Sequence, residues 1–209
     1  MYIKYFKRII DFIGAFVATV LFSWLLLLIV LLVKLTSKGP VLYKQKRIGR
    51  DKKEFYILKF RTMKISTPGD VPTHLLQNPE QYITGIGKFL RKSSVDELPQ
   101  LINILKGDMS FVGPRPALWN QYDLIEERDK YGANSIRPGL TGWAQVNGRD
   151  ELPIPIKAKY DGEYINKMSF LFDLSCIFKT FYCVFKHKGV REGTCEVKKL
   201  YEESTGNWS

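Results

Sequence analysis

The stretch that decides the fold runs from Phe12 to Val33 and reads FIGAFVATVLFSWLLLLIVLLV. It contains 22 residues without a charge, and sixteen of them are Leu, Ile, Val or Phe. At a rise of ~1.5 Å per residue, a helix of this length can cross a hydrocarbon core of about 30 Å. We therefore expect residues 1–38 to form a membrane-embedded helix. No small-residue cleavage pattern follows the run, so we do not expect a cleaved signal peptide.

Basic residues flank this apolar run on both sides. Lys4, Lys7 and Arg8 precede it, and six more Lys and Arg residues follow between positions 34 and 50. Positive flanks favour the cytoplasmic side of a membrane, so both ends of the run favour the same face. A re-entrant helix that bends near Ser23 and Trp24 satisfies both flanks, because a Ser side chain can bond to an upstream carbonyl and help to bend a helix. A straight spanning helix is the alternative, since the run contains no Pro to cause a kink.

The charge balance of the chain is basic and uneven. Lys and Arg number 32 against 21 Asp and Glu, a net charge of +11, which favours anionic partners such as phosphates or an anionic membrane surface. Residues 1–50 carry nine basic residues and one acidic residue, a net of +8, which leaves 11 − 8 = +3 for the remainder. A nucleic-acid partner is therefore not expected.

Three cysteines without a CxxC pair argue against a disulfide-stapled secreted domain, and two distant histidines argue against a zinc site.

Behind the membrane segment, the pattern predicts a mainly helical α+β domain. Residues 41–45 and 55–63 are typical of two strands of a small β-hairpin around a Gly-containing turn. Lys59 and Arg61 lie two positions apart in the second strand, so we expect them on one face.

The second half of the chain is predicted to be largely helical. A helix is expected at 120–130, a Gly-punctuated loop at 137–143 and a further helix from about 156. Residues 170–185 are mostly apolar, which suits an amphipathic helix in the membrane interface and equally a core helix. Residues 1–209 are expected to form one domain.

Two adjacent carboxylates, Asp96 and Glu97, stand at the start of a predicted helix. Four apolar residues follow at the spacing of a buried helical face: Leu98, Leu101, Ile102 and Leu105. Ser94 and Glu97 have the spacing of a capping box, but Pro99 suits a helix that begins nearer Asp96, and Gly107 is a natural stop. In either case the positive end of the helix dipole is expected to keep both carboxylates ionised at neutral pH.

The two carboxylates suit phosphoryl chemistry because of the cations that accompany them. An ionised carboxylate is a nucleophile that needs no base, and a neighbouring carboxylate can hold Mg²⁺. Arg115 lies between two prolines, and Lys59, Arg91 and Arg137 add positive charge for a phosphate or diphosphate. Taken alone, the carboxylates are better explained by helix capping, since Asp and Glu are favoured in any first turn.

The chain resembles the small monotopic phosphoglycosyl transferases, also called bacterial sugar transferases, along nearly its whole length. The resemblance rests on FKRIID at 6–11, KFRTM at 59–63, SVDELPQ at 94–100, KGDMSFVGPRP at 106–116 and RPGLTGWAQVNGR at 137–149. One departure is Trp24, because members of the family usually carry Pro after the Ser at the membrane bend. Larger members carry an added transmembrane domain, which we do not expect within these 209 residues.

The resemblance implies an activity and a set of site residues. It implies transfer of a sugar 1-phosphate from a UDP-sugar to undecaprenyl phosphate, with release of UMP, at the cytoplasmic face of the bacterial inner membrane. It assigns Asp96 as the nucleophile that forms a covalent phosphosugar intermediate, and Glu97 as the contact to a Mg²⁺ cofactor. The residues that it implies for phosphate or substrate binding are Arg91 and Arg115 and, more weakly, Lys59, Arg137 and Asp161.

Two other functions remain open at this point. A membrane-tethered phosphodiesterase or pyrophosphatase could use the same carboxylates but pass the phosphoryl group to water. A membrane scaffold would dock acidic lipid or a protein partner, but it would not need the adjacent carboxylates or the Arg between prolines. The sugar is also open, with a di-N-acetylated bacillosamine expected ahead of hexoses and N-acetylhexosamines on family grounds.

Overall fold

The structure is a computed structural model that describes residues 2–67, 79–148 and 152–185. These residues form eight α-helices, five short strands and several single turns. The helices are α1 Lys7–Leu21, α2 Ser23–Thr36, α3 Gly85–Lys92, α4 Gln100–Lys106, α5 Tyr122–Asp129, α6 Trp143–Val146, α7 Ile154–Lys167 and α8 Phe170–Phe185. The strands are β1 Leu42–Ile48, β2 Glu54–Phe60, β3 Ser110–Val112, β4 Ala117–Leu118 and β5 Gly139–Thr141.

The apolar run forms two helices, α1 and α2, with a bend of 62° between them. The break lies at Phe22 (φ −93°, ψ 8°), next to the predicted site at Ser23. Just before it, the Thr19 hydroxyl donates to the Ala15 carbonyl at 2.7 Å, a side-chain bond that helps to bend helices. Within the described ranges no single helix has the length and hydropathy to cross a membrane, whereas the bent pair taken together does.

The two halves of the bent pair pack on different parts of the domain. Ala15 of α1 joins a buried cluster with Ile57, Leu101, Ile104 and Met109. In α2 the buried residues belong to a second cluster, made of Ile29, Val33, Phe60 and Leu90. The outward faces of both helices are apolar and exposed, with Phe16 at 56%, Trp24 at 66% and Leu27 at 70%. A continuous exposed apolar surface of this kind is typical of contact with a membrane or a partner.

Polar side chains also attach α1 to distant parts of the chain. Lys7 Nζ binds Asp173 Oδ2 at 2.6 Å, Arg8 donates to the carbonyls of Ile104 (2.5 Å) and Leu105 (2.9 Å), and Asp11 Oδ1 accepts from the Phe111 N–H at 3.1 Å. Asp11 is only 4% exposed. The bent helix pair and the domain behind it are therefore joined by specific hydrogen bonds as well as by apolar packing.

The predicted hairpin is confirmed, and the structure adds a third strand to it. β1 and β2 pair antiparallel from Leu42 opposite Phe60 to Ile48 opposite Glu54, and β4 pairs with the other edge of β1. β2 ends at Phe60, although the Arg61 N–H still donates to the Val41 carbonyl at 2.9 Å, and the common face of Lys59 and Arg61 stays a prediction. Arg61 turns to the end of α2, where its Nη2 donates to the Ser37 carbonyl at 3.0 Å.

A second, two-stranded sheet was not predicted. β3 and β5 pair parallel, and β5 lies inside the stretch expected to be a loop. A parallel pair of three-residue strands leaves little pattern in the sequence, because it has neither a hairpin turn nor enough residues to show alternation.

The helices predicted in the second half of the chain are present as α5, α7 and α8. In α8 one face is buried, with Cys176 at 0% exposure, and the other is apolar and exposed, with Leu171 at 76% and Phe178 at 69%. Burial raises the pKa of the Cys176 thiol to about 11, which fits a packing role. Cys195 lies outside the described residues.

Candidate active site

Asp96 and Glu97 lie on a 3₁₀ turn, Val95–Glu97, that connects α3 to α4. The residue before the turn, Ser94, has φ 56° and ψ 15°, a left-handed conformation that non-glycine residues seldom adopt. No capping box forms, since α4 begins only at Gln100 with Pro99 as its N-cap. Pro suits this position because it has no N–H to leave unbonded. The carboxylates thus precede α4 instead of lying in its first turn.

The 3₁₀ turn also changes which face of α4 is buried. Leu101 and Ile104 are buried at 3% and 0% exposure, but Ile102 is 38% exposed, so the predicted face is wrong at that position. The apolar spacing assumed one continuous helix from Leu98, and the change of helix type at Pro99 shifts the phase. Gly107 ends the helix as predicted, at φ 95° with its N–H bonded to the helix carbonyls.

Asn103, which is not one of the predicted site residues, fixes α4 against the edge strand of the hairpin. Its Oδ1 accepts from the Leu58 N–H at 3.0 Å and its Nδ2 donates to the Tyr56 carbonyl at 2.8 Å. The side chain, 1% exposed, therefore pairs with β2 as another strand would. Because Lys59 follows Leu58, this contact sets the distance between the hairpin cation and the two carboxylates. A polar residue inside the apolar run 101–105 was the signal that could have revealed it.

Two cations meet at the Glu97 carboxylate. Lys59 Nζ lies 2.6 Å from Glu97 Oε1, and Arg115 Nη1 lies 3.7 Å from the same oxygen. The three side chains are partly buried, at 18%, 33% and 21% exposure for Lys59, Arg115 and Glu97. Arg91, in the last turn of α3, contributes a third positive charge near Asp96.

The backbone around Arg115 is held from both sides, which supports the prediction that its guanidinium is pre-positioned. The Pro114 carbonyl accepts from the Gly139 N–H at 2.8 Å, and the Pro116 carbonyl accepts from Arg47 Nη1 at 2.9 Å. At Gly113 a side chain would clash, since a Cβ there would lie 2.5 Å from the Arg137 carbonyl oxygen. The Gly-Pro-Arg-Pro segment is therefore clamped between the two sheets.

Asp96 is buried at 8% exposure, and burial raises its pKa to about 6. The positive charge of Lys59 opposes this rise, the negative charge of Glu97 adds to it, and Arg91 opposes it again. Burial therefore outweighs any lowering of the Asp96 pKa by the helix end, but a pKa of about 6 still leaves this carboxylate mostly ionised at neutral pH, as expected. The carboxyl loses its proton just below neutral pH.

Five of the seven predicted site residues come together, and two lie elsewhere. Asp96, Glu97, Lys59, Arg91 and Arg115 form the cluster just described. Arg137 donates from Nε to the Gly107 carbonyl at 2.8 Å, at the opposite end of α4 from the carboxylates. Burial and the nearby Arg8 lower the pKa of its guanidinium.

Asp161, on α7, is 1% exposed and binds Arg128 of α5 through Oδ2 at 2.8 Å to Nε and 2.7 Å to Nη2. Burial raises its pKa, and the charge of Arg128 opposes that rise. These contacts give Asp161 and Arg137 structural partners. Their assignment as substrate ligands stays a prediction that the geometry does not favour.

The metal-binding capacity of the cluster is limited to its two carboxylates. Among residues 2–67, 79–148 and 152–185, no group of three or more His, Cys, Asp or Glu side chains is arranged to hold a metal ion. Two carboxylates fit Mg²⁺ in its usual protein setting, where one or two carboxylates share the ion with water and substrate phosphate oxygens. Lys59 would have to release Glu97 Oε1 for that oxygen to become a ligand.

A buried carboxylate beside an ion-paired one, with Lys59, Arg91 and Arg115 around them, defines a candidate group-transfer site. The family model described as "Bacterial sugar transferase" matches residues 2–187, and the chain belongs to that family.

Similar proteins cover nearly all of the chain. It is 38% identical over 197 residues to the exopolysaccharide production protein ExoY of Rhizobium meliloti (strain 1021), with 88% of this chain and 87% of the relative covered. It is 41% identical over 190 residues to the UDP-glucose:undecaprenyl-phosphate glucose-1-phosphate transferase of Escherichia coli (strain K12), covering 87% of this chain and 40% of the relative. A UDP-N-acetylgalactosamine-undecaprenyl-phosphate N-acetylgalactosaminephosphotransferase of Aeromonas hydrophila is 36% identical over 195 residues, covering 90% of this chain and 45% of the relative. The chain thus spans less than half of the last two enzymes.

Proposed function

We propose that this protein transfers a sugar 1-phosphate from a UDP-sugar to undecaprenyl phosphate and releases UMP. Membership of the family and the printed activities of the Escherichia coli and Aeromonas hydrophila relatives support this reaction class. Those two names specify glucose and N-acetylgalactosamine, so the donors to test first are UDP-hexoses and UDP-N-acetylhexosamines.

The observation that carries the mechanism is the unequal setting of two adjacent carboxylates. Glu97 is held by Lys59 at 2.6 Å and by Arg115 at 3.7 Å, whereas Asp96 is buried with a pKa of about 6. A carboxylate that is ionised at neutral pH but poorly solvated is more nucleophilic than one surrounded by water. Asp96 therefore suits attack on phosphorus, and Glu97 suits the organisation of positive charge around the diphosphate.

The proposed reaction takes place in two displacements at one phosphorus atom. An Asp96 carboxylate oxygen attacks the phosphorus that carries the sugar, the bond to the bridging oxygen of the diphosphate breaks, and UMP leaves with the electron pair. This step produces an acyl phosphate that links Asp96 to the sugar. A phosphate oxygen of undecaprenyl phosphate then attacks the same phosphorus, the bond to Asp96 breaks, and the carboxylate is regenerated as the undecaprenyl diphosphate sugar departs.

The chain's own cations have separate tasks in this scheme. Arg115, fixed by its clamped backbone, is placed to bind a diphosphate oxygen, and Arg91 balances charge beside Asp96. Lys59 exchanges Glu97 for the arriving phosphate. Mg²⁺, which Glu97 would hold with Asp96 nearby, would supply neutralisation of the charge that develops on the leaving UMP.

We also propose that the bent pair α1 and α2 is a re-entrant element and that the site faces the cytoplasm. Both flanks of the pair are basic, and the outward faces are apolar. Ile3→Cys and Lys38→Cys, at two exposed positions, can be labelled in whole cells with an impermeant reagent. Re-entry predicts labelling at both positions only after the inner membrane is opened, whereas labelling at position 3 alone in intact spheroplasts would establish a spanning helix.

Kinetics and product analysis test the covalent scheme. Initial rates over a grid of UDP-sugar and undecaprenyl phosphate concentrations should give parallel double-reciprocal lines, and omission of the acceptor should give a stoichiometric burst of UMP with a phosphosugar adduct on Asp96. Intersecting lines without a burst would favour direct transfer in a ternary complex. Free sugar 1-phosphate in place of lipid-linked sugar would identify a hydrolase.

A further inference from the structure

A cavity of about 420 Å³ lies at the end of α2, apart from the carboxylate cluster. Its polar lining comes from the chain that leaves α2, from the residues after β2 and from the start of α3: Ser37, Lys38, Arg61, Lys64, Thr84 and Gly85. Three of these six are basic, and among the described residues that line the cavity none is acidic. The cavity is therefore electropositive.

Arg61 is the unusual member of this lining. Its residue is only 6% exposed, and its Nη2 donates to the Ser37 carbonyl at 3.0 Å and to the Ser37 hydroxyl at 2.8 Å. Its Nε and Nη1 are buried and, in the described part of the chain, have no hydrogen-bond acceptor. A buried guanidinium with two unbonded nitrogens is costly unless an anion binds there.

The amino end of α3 brings a second source of positive potential to the same cavity. Thr84 caps the helix by accepting the Gly87 N–H at 3.0 Å, and Gly85 is its first residue. The first N–H groups of a helix have no partner within it, and the helix dipole favours an anion at that end. A Cβ added at Gly85 would meet no atom within 4 Å, so there is open space beside these N–H groups.

The position of the cavity indicates where its ligand comes from. It is lined by Thr36 and Ser37, at the end of α2, directly after Leu35, which is 74% exposed. If the apolar faces of α1 and α2 lie in the membrane, as proposed above, the cavity lies at the level of the lipid phosphates.

We propose that this cavity binds the phosphate group of a membrane lipid, at a site separate from Asp96. Arg61 supplies its under-bonded guanidinium in the cavity wall, α3 supplies its first N–H groups, and Lys38 and Lys64 add positive charge at the rim. The two sites are at opposite ends of α3, roughly 10 Å apart at ~1.5 Å per residue, because Arg91 lies in the last turn of that helix. A lipid phosphate at one end of α3 thereby steadies the helix that carries Arg91 at the other.

Lipid-dependent thermal stability of the full chain tests this proposal without relying on catalysis. In neutral maltoside micelles, addition of phosphatidylglycerol or, in a separate arm, undecaprenyl phosphate should raise the melting midpoint of the wild-type chain by about 5 °C. Phosphatidylcholine, whose headgroup carries no net charge, should do less. A rise with phosphatidylglycerol identifies a general anionic-lipid site, and a rise with undecaprenyl phosphate alone identifies a site for the acceptor.

Three variants distinguish lipid binding in the cavity from a general attraction of anionic lipid to the basic surface. Arg61→Met and Gly85→Asp should both lose the lipid-dependent rise. Gly85→Asp is expected to fold well, since its carboxylate has open space and lies at the favourable end of the α3 dipole. Lys53→Gln, on the exposed turn of the hairpin, removes a charge away from the cavity and should keep the full rise.

The outcomes that would overturn the proposal are equally specific. A lipid-dependent rise retained in Arg61→Met and Gly85→Asp would place the lipid elsewhere, and no rise in the wild-type chain would remove the site. An equal rise with inorganic phosphate at the same concentration would show a soluble-anion site in place of a lipid site. Failure of the covalent scheme at Asp96 would leave all of these results unchanged.

Discussion

Asp96 and Asp161 are both buried, at 8% and 1% exposure, and burial raises the pKa of both carboxyls. Asp161 has a guanidinium of its own, because two nitrogens of Arg128 bind its Oδ2 within 2.8 Å. Within the carboxylate cluster, Lys59 does not pair with Asp96 but binds the neighbouring Glu97, at 2.6 Å. Asp161 therefore has a counter-charge of its own, whereas Asp96 depends on cations that also neutralise the neighbouring Glu97.

This difference separates a structural carboxylate from one suited to chemistry. The buried Asp161–Arg128 ion pair holds α5 against α7. Beside Asp96, Lys59 is paired with Glu97, so it can exchange Glu97 for a substrate phosphate while Arg115 still lies 3.7 Å from the Glu97 carboxylate. Burial alone does not distinguish the two roles, whereas the hydrogen-bond partners do.

The largest expected effect is the loss of activity in Asp96→Asn. The amide is nearly isosteric with the carboxylate but is a far poorer nucleophile, so turnover should fall roughly 10³-fold or more. The measurement is UMP release with UDP-sugar and undecaprenyl phosphate, together with mass spectrometry of the phosphosugar adduct. Asp161→Asn is the comparison variant, and its activity per folded molecule should stay within a few-fold of wild type. Wild-type activity in Asp96→Asn would remove Asp96 from the mechanism.

The second effect concerns stability, and here substitution of Asp161 is expected to cost more than substitution of Asp96. Asp161→Asn leaves Arg128 buried without its counter-charge, which should cost about 3–5 kcal/mol in the free energy of unfolding. The double variant Asp161→Leu with Arg128→Met should recover most of this loss, because a buried pair can be replaced by apolar side chains at little cost. Denaturant unfolding in neutral micelles measures both. A loss of less than about 1 kcal/mol in the single variant would mean that water reaches the pair.

The third effect is a pH dependence of stability that is specific to Asp96. The folded-state pKa of about 6 lies above the ordinary value of 3.8, so this group favours the folded state at low pH and loses that contribution as pH rises from about 4 to 6. Above pH 6, Asp96→Asn should therefore be more stable than wild type, by at most about 3 kcal/mol, while near pH 4 the two should be equal. Equal stability at every pH would show that the Asp96 carboxyl is hydrated.

The smallest effect tests the exchangeable cation. Lys59→Met removes the charge that lowers the pKa of Asp96 and leaves Glu97 less neutralised, so the acidic limb of the kcat/KM profile should move from near pH 6 upward by roughly 1 pH unit. The readout is the pH midpoint of the acidic limb, because the plateau value of kcat/KM also reflects substrate binding. Lys46→Met breaks a matched surface pair with Glu54 in the same hairpin and should leave the limb in place. A limb that is unmoved in Lys59→Met would mean that Lys59 does not act on Asp96.

The sequence predicted the local elements of this protein better than the contacts between them. The apolar run, the hairpin and the helix after the carboxylates all follow from residue spacing, and so does the stop at Gly107. The parallel pairing of β3 with β5 was missed because it depends on backbone approaches at Gly113 that no periodicity records. The phase of α4 was wrong at Ile102 because a 3₁₀ turn precedes the helix.

The sequence was enough to predict which residues belong to the candidate site, but not which side chains bind each other in it. Spacing and resemblance selected Asp96, Glu97 and Arg115, which the structure brings together. Asp161 was selected by resemblance as well, yet its partner Arg128 lies 33 positions away, a separation that carries no sequence signal. Asn103 was passed over because its partners are backbone groups, which every residue possesses.

The hydrogen bonds of α1 also have a consequence for the order in which the molecule is completed during synthesis. Arg8 bonds to a carbonyl 96 positions later, and Asp11 bonds to an N–H 100 positions later. At ~5–20 residues per second, the ribosome takes roughly 5–20 s to supply these partners after α1 has been made. During that interval the Arg8 guanidinium, which ends up partly buried, and the Asp11 carboxylate, which ends up buried, have only water, lipid headgroups or chaperones to satisfy them. The last carbonyls of α4 gain the Arg8 guanidinium only when the first helix packs against them, and the carboxylate cluster gains Arg115 only after α4 has been made.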